Sequence, residues 1–221
     1  FVRRMESCET MGNAEFVCTD KTGTLTQNKM LMTKLFNFGS QDKNLEETVS
    51  DNFTGSPNKF FNDDEWEILK INLACNTSTT FDASGVEKGN KSDESLTKFL
   101  AKLGANVKQI RETYIKPLEN GDKPQIVFTS ARKKMSTIIT HSSLPTGYRI
   151  LLKGASEIIV KACTKIRKPD GSTEDIDRAT ATLIQDKIGE YARETLRTFC
   201  IAYKDLNKED LNLFYEETYN S

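Results

Sequence analysis

Seven residues, Asp20-Lys21-Thr22-Gly23-Thr24-Leu25-Thr26, follow directly on the apolar run Phe16-Val17-Cys18. A carboxylate closing a short buried strand over Glu15–Thr19 is followed by hydroxyls around one glycine, an arrangement met at the strand ends of open α/β sheets. Ligands of such sheets collect at the carboxyl ends of strands, which is where Asp20 falls. The loop offers a nucleophile in Asp20 and backbone N–H groups for phosphate oxygens. It also offers Asp20 and the Thr22 carbonyl as hard oxygen ligands for magnesium. An aspartate before a glycine turn is also an ordinary strand end. The full seven-residue pattern is what favours chemistry over that bland reading.

The rest of the 221-residue chain limits what can surround this loop: 37% hydrophobic and 29% charged residues fit a globular protein with one full core and part of a second unit. A net charge of −1 gives no electrostatic case for nucleic acid as a partner. The five cysteines are scattered without a CxxC pair, and they read as reduced thiols in a cytosol-facing protein. With His141 the only histidine, a histidine-based zinc site or a Ser-His-Asp triad is disfavoured, and His141 reads as a strand residue with no catalytic role. No apolar stretch reaches the roughly 18–20 residues of a membrane helix, and the N-terminus carries no signal-peptide pattern.

Periodicity after the loop predicts a strand leaving the first unit near Met30–Phe38, then a polar linker over about 39–62. Asp63 or Asn62 caps a helix with Trp66, Leu69, Leu73 and Ala74 on one face; Thr77–Asp82 alternates as a strand. Ser92 or Asp93 caps a second helix that buries Leu96, Phe99, Leu100 and Leu103 and ends at Gly104. Strands are expected at Ile126–Thr129, Met135–Thr140 and Tyr148–Lys153, the last two joined by the Pro145-Thr146-Gly147 turn. A helix runs from Gly154 to about Cys163, a turn falls at Pro169-Asp170-Gly171, and an amphipathic helix spans about Ile176–Leu196. A β run at Thr198–Tyr203 and a charged terminal helix complete the chain. Helices beside consecutive antiparallel strands make this an α+β domain.

A phosphoryl donor needs a site, yet the chain has no GxxxxGK[ST] loop. An aromatic ring for a base, with lysines and arginines for phosphates, is another solution. The parts occur in Phe128-Thr129-Ser130-Ala131-Arg132-Lys133-Lys134-Met135-Ser136, Lys153-Gly154-Ala155-Ser156-Glu157, Gly89-Asn90-Lys91-Ser92-Asp93 and Thr195-Leu196-Arg197-Thr198. On residue type alone Phe128 is a core residue and the basic run a solvated turn.

Together with DKTGTLT, these segments resemble the P-type ion-pumping ATPases. The flanks Cys8-Glu9-Thr10-Met11-Gly12-Asn13-Ala14 and Asn28-Lys29-Met30 resemble the plasma-membrane type calcium pumps. The resemblance implies that residues 1–33 are the N-terminal part of a haloacid-dehalogenase-like α/β phosphorylation domain. Residues 34–221 would then be an α+β nucleotide-binding domain, an antiparallel sheet flanked by helices, ending before its closing strand. It implies ATP and Mg²⁺ as cofactors, with Asp20 as phosphoacceptor and Thr22 as its catalytic and metal-binding companion. Phe128 would stack on adenine with Lys133 beside it, Lys153 and Gly154 would line the pocket, and Arg197 would reach the phosphates. Asp93 stands where the family carries a glutamate to the adenine amino group; helix capping is an equal reading of it. Ser130 stands where some relatives have an arginine, with Arg132 nearby.

The implied function is ATP hydrolysis through an aspartyl phosphate, coupled to calcium transport by a membrane-embedded parent with calmodulin as a possible regulator. The remaining phosphorylation domain, an actuator domain and membrane helices would be its other parts. The crossing near residues 30–35 would act as a hinge. The family's TGD and GDGxND segments do not occur in this chain, so nucleotide binding without turnover is the expectation for it alone. Two alternatives stand. A haloacid-dehalogenase-like phosphatase would have a second aspartate where Thr22 stands, and a non-catalytic interaction module would leave the Phe128 and KGASE segments unexplained.

Overall fold

The computed structural model describes residues 5–37, 42–50, 53–85, 87–117, 124–207 and 209–211. The chain divides into two compact units, Phe1–Met30 and Leu31–Ser221. In the first, helix α1 (Met5–Gly12) is followed by extended chain and the turn Lys21–Leu25. The buried strand expected over Glu15–Thr19 is not formed: Phe16 is 87% and Val17 84% exposed. A strand is stable only when a neighbour satisfies its N–H and C=O groups, and among the described residues none pairs with this segment.

The second unit opens with a two-stranded ladder, β1 (Lys34–Leu35) and β2 (Lys43–Asn44), so the strand expected over Met30–Phe38 is much shorter. The segment read as a polar linker is largely packed. Leu45 and Phe61 are buried in the core, and Lys102 donates to the Thr48, Val49 and Ser50 carbonyls at 2.7, 3.2 and 2.8 Å. Sparse hydrophobics in a polar stretch carry no period, which is why their burial is invisible to pattern reading.

Helix α2 (Asp63–Cys75) starts with a full capping box. Asn62 Oδ1 accepts from the Glu65 amide at 2.8 Å, while Glu65 accepts from the Asn62 amide. The short ladder β3 (Thr80–Phe81) and β4 (Glu87–Lys88) precedes α3 (Lys91–Lys102). The N-cap of α3 is Asn90, which accepts from the Asp93 amide at 3.0 Å, and not Ser92 or Asp93. Leu96, Phe99, Leu100 and Leu103 are buried as the helical spacing requires, and Gly104 takes φ +81° after the last turn. Helix α4 (Val107–Tyr114), absent from the sequence reading, follows at once, capped by Asn106.

The main sheet is β5 (Gln125–Ile126), β6 (Lys134–Thr140), β7 (Tyr148–Gly154) and β10 (Cys200–Leu206), all antiparallel in the order β10-β7-β6-β5. His141 sits one residue past β6, its ring 4.8 Å from that of Tyr114. Between β7 and β10 come α5 (Ser156–Ala162), the hairpin β8 (Lys165–Arg167) and β9 (Thr173–Asp175), and α6 (Arg178–Arg193). The Pro169-Asp170-Gly171 turn joins β8 to β9, with Gly171 at φ +85°. The charged terminal helix lies mostly outside the described residues.

Alternation gives the sheet two dry faces. Leu151 and Ile139 join Leu69, Leu73, Leu96 and Leu100 from α2 and α3 in the larger core, with Ile201 and Tyr203 packed against it. On the opposite face, Ile138 and Ile150 are paired and cluster with Leu206. This is the α+β fold expected, an antiparallel sheet flanked by helices. No helix among the described residues is long and apolar enough to cross a membrane.

Candidate functional site

The antiparallel register decides what can meet. Lys134 of β6 pairs with Gly154 of β7, and Gly154 pairs with Cys200 of β10. One end of the sheet therefore carries the start of β6, the end of β7 and the start of β10. Phe128, Lys133, Lys153, Gly154 and Arg197, scattered over 70 positions of sequence, all lie at or just beyond that end.

The loop from β5 to β6 is closed by the Lys133 amide donating to the Thr129 carbonyl at 2.8 Å and by Arg132 Nη1 donating to the Val127 carbonyl at 3.2 Å. Phe128 is 52% exposed, with no ring partner among the described residues. A half-exposed phenylalanine offers one face for stacking. Ser130 is exposed, and the contact of Arg132 with its own loop turns that guanidinium back onto the backbone.

Lys133 adopts φ +51°, an uncommon conformation for a residue with a Cβ. Its carbonyl accepts from the Ala155 amide at 3.0 Å, locking this loop to the end of β7. Gly154 makes that approach possible, because a Cβ at position 154 would run into the Lys133 carbonyl and lie 2.9 Å from Lys134 Cα. Helix α5 then begins at Ser156, so Gly154 closes the strand instead of opening the helix.

Lys153 faces the helices, and its ammonium forms an ion pair with Oδ1 of Asp93, both residues being more than nine-tenths buried. Oδ2 of Asp93 accepts from the Ser78 amide at 2.8 Å, the Ser78 hydroxyl at 2.7 Å and Asn90 Nδ2 at 3.2 Å. Burial opposes ionisation of Asp93, but the Lys153 charge and then the Ser78 donors outweigh it and hold the carboxyl below the usual carboxylate range. Burial pulls the Lys153 ammonium down from its ordinary value, against the opposing Asp93 charge. The neighbouring Glu94 is spent elsewhere, on the Gly89 amide and on Lys91 and Lys98.

Arg197 Nη1 reaches Ser92 Oγ at 3.5 Å, which sets it beside the first turn of α3, next to Asp93. It arrives there through a Schellman cap on α6, with the Leu196 amide donating to Tyr191 O and the Thr195 amide to Ala192 O, both at 3.0 Å. Thr195 occupies the left-handed position of that cap at φ +61°, where glycine is usual. Of the three non-glycine residues with positive φ among those described, two, Lys133 and Thr195, belong to the segments at this sheet end.

Beneath the pair lies a polar layer that sequence reading missed. Arg111 of α4 donates to Ala74 O at 2.7 Å and Thr79 O at 3.0 Å, and to the Thr77 and Thr79 hydroxyls, both at 2.7 Å. It also meets Glu87 Oε1 at 3.2 Å. These contacts fix residues 77–79, and with them Ser78. Nothing in the local pattern marks Ser78 or Arg111, and the one signal available for Asn90 was its N-cap character.

In the first unit Asp20 is extended, its Oδ1 accepting from the Thr22 amide at 3.3 Å. Gly23 at φ +83° turns the chain, and the Thr26 amide donates to Lys21 O at 3.1 Å. Both Asp20 and Thr22 are exposed, and Oδ2 of Asp20 accepts no hydrogen bond among the described residues. The turn thus presents a free carboxylate oxygen.

A family model described as P-type ATPase, cytoplasmic domain N, matches residues 66–221, and the chain belongs to that family. It is 33% identical over 220 residues to plasma membrane calcium-transporting ATPase mca-1 of Caenorhabditis elegans, a match that covers 94% of this chain and 17% of that protein. It is 34% identical over 214 residues to calcium-transporting ATPase 3, plasma membrane-type, of Oryza sativa subsp. japonica, covering 94% and 19%. Plasma membrane calcium-transporting ATPase 1 of Gallus gallus is 33% identical over 215 residues, covering 92% and 16%. The chain therefore spans less than a fifth of the length of these relatives.

Proposed function

We propose that this chain is the ATP-binding portion of a P-type calcium-transporting ATPase, with residues 1–33 from the phosphorylation domain and residues 34–221 as the nucleotide-binding domain. The observation that carries the reading is the convergence of Phe128, Lys133, Lys153, Gly154 and Arg197 on one end of the antiparallel sheet. Phe128 stacks on the base, Lys133 and Lys153 line the pocket, and Arg197, tethered at Ser92, reaches toward the phosphates. One stack contributes about 1–3 kcal/mol and each charge-assisted hydrogen bond about 1.5–3 kcal/mol, against several kcal/mol for immobilising the ligand. The dissociation constant for ATP therefore falls roughly between micromolar and millimolar.

In the full-length protein, a carboxylate oxygen of Asp20 attacks the γ-phosphorus of ATP in line, the bond to the β-γ bridging oxygen breaks, and ADP leaves with that electron pair. The Asp20 carboxylate and Thr22 carbonyl are hard oxygen ligands that would hold magnesium, which would supply positive charge to neutralise the transferring group. Thr22, in place of a second aspartate, supplies no general acid for rapid hydrolysis, which favours a persistent phosphoenzyme over a phosphatase. Calcium as the transported ion, an actuator domain, membrane helices and calmodulin belong to the parent protein.

Isothermal titration calorimetry with ATP tests the site. Phe128→Ala and Lys153→Ala should each weaken binding about tenfold or more. Unchanged affinity in both refutes the assignment.

A further inference from the structure

Asp93 is where the chain departs from the pattern it otherwise follows, and its surroundings give that departure a meaning. A carboxylate offers about four acceptor sites. Here Lys153 takes Oδ1, while the Ser78 amide, the Ser78 hydroxyl and Asn90 Nδ2 converge on Oδ2. Those donors come from α3's own cap, from the segment before β3 and from the end of β7. With four donors already on it and 5% of its surface exposed, Asp93 is committed to partners within the protein. Lys153 is the reverse case. An ammonium carries three N–H donors, and among the described residues Asp93 is its only hydrogen-bond acceptor. The ammonium keeps two further donors, on a side chain that leaves β7 one residue before Gly154, at the end of the strand where the Ala155 amide meets the Lys133 carbonyl.

We propose that Asp93 is a positioning residue, held by Ser78 and Asn90, that aims the Lys153 ammonium into the nucleotide pocket, and that it does not read the amino group of the base. The inference rests on the nucleotide-binding reading of this sheet end and names how that site selects its ligand. Adenine's amino group is a donor and needs an acceptor, and the carboxylate of Asp93 is already engaged by Lys153, Ser78 and Asn90. The pocket therefore gains nothing through Asp93 from ATP that it would lose with ITP, in which an oxygen replaces the amino group.

The test is calorimetric titration of the whole chain with ATP and with ITP, for the unmodified protein and for Asp93→Asn, Ser78→Ala, Lys153→Met and the Asp93→Asn/Lys153→Met double variant. Asp93→Asn should weaken both nucleotides by the same factor, about tenfold, and Ser78→Ala by a smaller common factor, leaving the ATP-to-ITP ratio unchanged. In the Lys153→Met background, Asp93→Asn should cause no further loss, because its effect runs through the ammonium. An effect of Asp93 that did not run through the ammonium would instead add to the loss in the double variant. Selective loss of ATP in Asp93→Asn overturns the proposal, as does an undiminished further loss in the double variant. If Asp93→Asn fails to fold, Ser78→Ala carries the same comparison: a common loss with an unchanged ratio supports the proposal, and a changed ratio or no loss overturns it. If the unmodified protein binds neither nucleotide, the nucleotide reading itself falls, a result distinct from a changed ratio.

Discussion

Arg111→Met is the substitution that most directly tests how the site is supported. The guanidinium makes five contacts, to Ala74 O, Thr79 O, the hydroxyls of Thr77 and Thr79, and Glu87. It also lies 5.5 Å from the Phe81 ring centroid. Methionine fills much of the volume and donates nothing. Two carbonyls lose their strongest donor, Ala74 O keeping, among the described residues, the Thr77 hydroxyl at 3.3 Å, and the largely buried Glu87 loses its cation. Unsatisfied buried acceptors cost about 1–3 kcal/mol each, and breaking a buried pair costs about 3–5 kcal/mol, so the lower ends of these ranges put the total at about 5 kcal/mol. For a unit of this size that lowers the melting temperature by about 10–20 °C. Urea denaturation followed by circular dichroism measures the first quantity and a thermal scan the second. Arg111→Lys restores charge but not the planar fork, and it should recover less than half of the loss. A cost below about 1 kcal/mol for methionine, or full recovery by lysine, would refute the argument that the fork's geometry fixes residues 77–79.

The pH dependence of stability carries a definite sign. The folded-state pKa values of Asp93 and Glu65 lie below their ordinary values, burial being outweighed at Asp93 by Lys153 and Ser78 and at Glu65 by Lys43, Asn37 and the Asn62 amide. Their contribution is thus fully present above about pH 5 and is lost as pH falls through the unfolded value near 4 toward the lower folded one. Asp93→Asn should flatten that acid limb while lowering stability at neutral pH; an equal penalty at pH 7 and pH 3 would contradict it. Gly154→Ala should cost about 1–3 kcal/mol, because its methyl meets Lys133 and Lys134 backbone, and an unchanged melting temperature would show that the two strand ends yield. Thr195→Gly should raise stability by about 1 kcal/mol by relieving the left-handed conformation of the α6 cap, measured in urea. A loss of stability there would mean that the threonine side chain contributes more than the strain costs.

The elements legible in the sequence were those with a local physical cause. Helix α2 follows from a capping residue at Asn62 or Asp63 and from apolar positions at helical spacing. The apolar face of α3 and its stop at Gly104 follow in the same way, as does the turn at Pro169-Asp170-Gly171. Phe128, Lys133, Lys153, Gly154 and Arg197 could be named because they stand in recognisable segments. That Asp20 begins a turn was equally local, since Gly23 and Thr26 close it within a few residues.

What the tertiary structure alone decided were the partnerships. Strand register brought Lys134, Gly154 and Cys200 into one row across the sheet. Packing also brought Asp93, a capping or base-reading candidate in the sequence, into an ion pair with Lys153. The strand expected before Asp20 failed for a related reason, since its stability depends on a neighbouring strand, and periodicity says nothing about whether one is there. Sequence determines a cap or a turn because every atom involved lies within one turn of backbone. An ion pair between residues 93 and 153 exists only once the sheet has packed on α3, and no one-dimensional pattern encodes that distance.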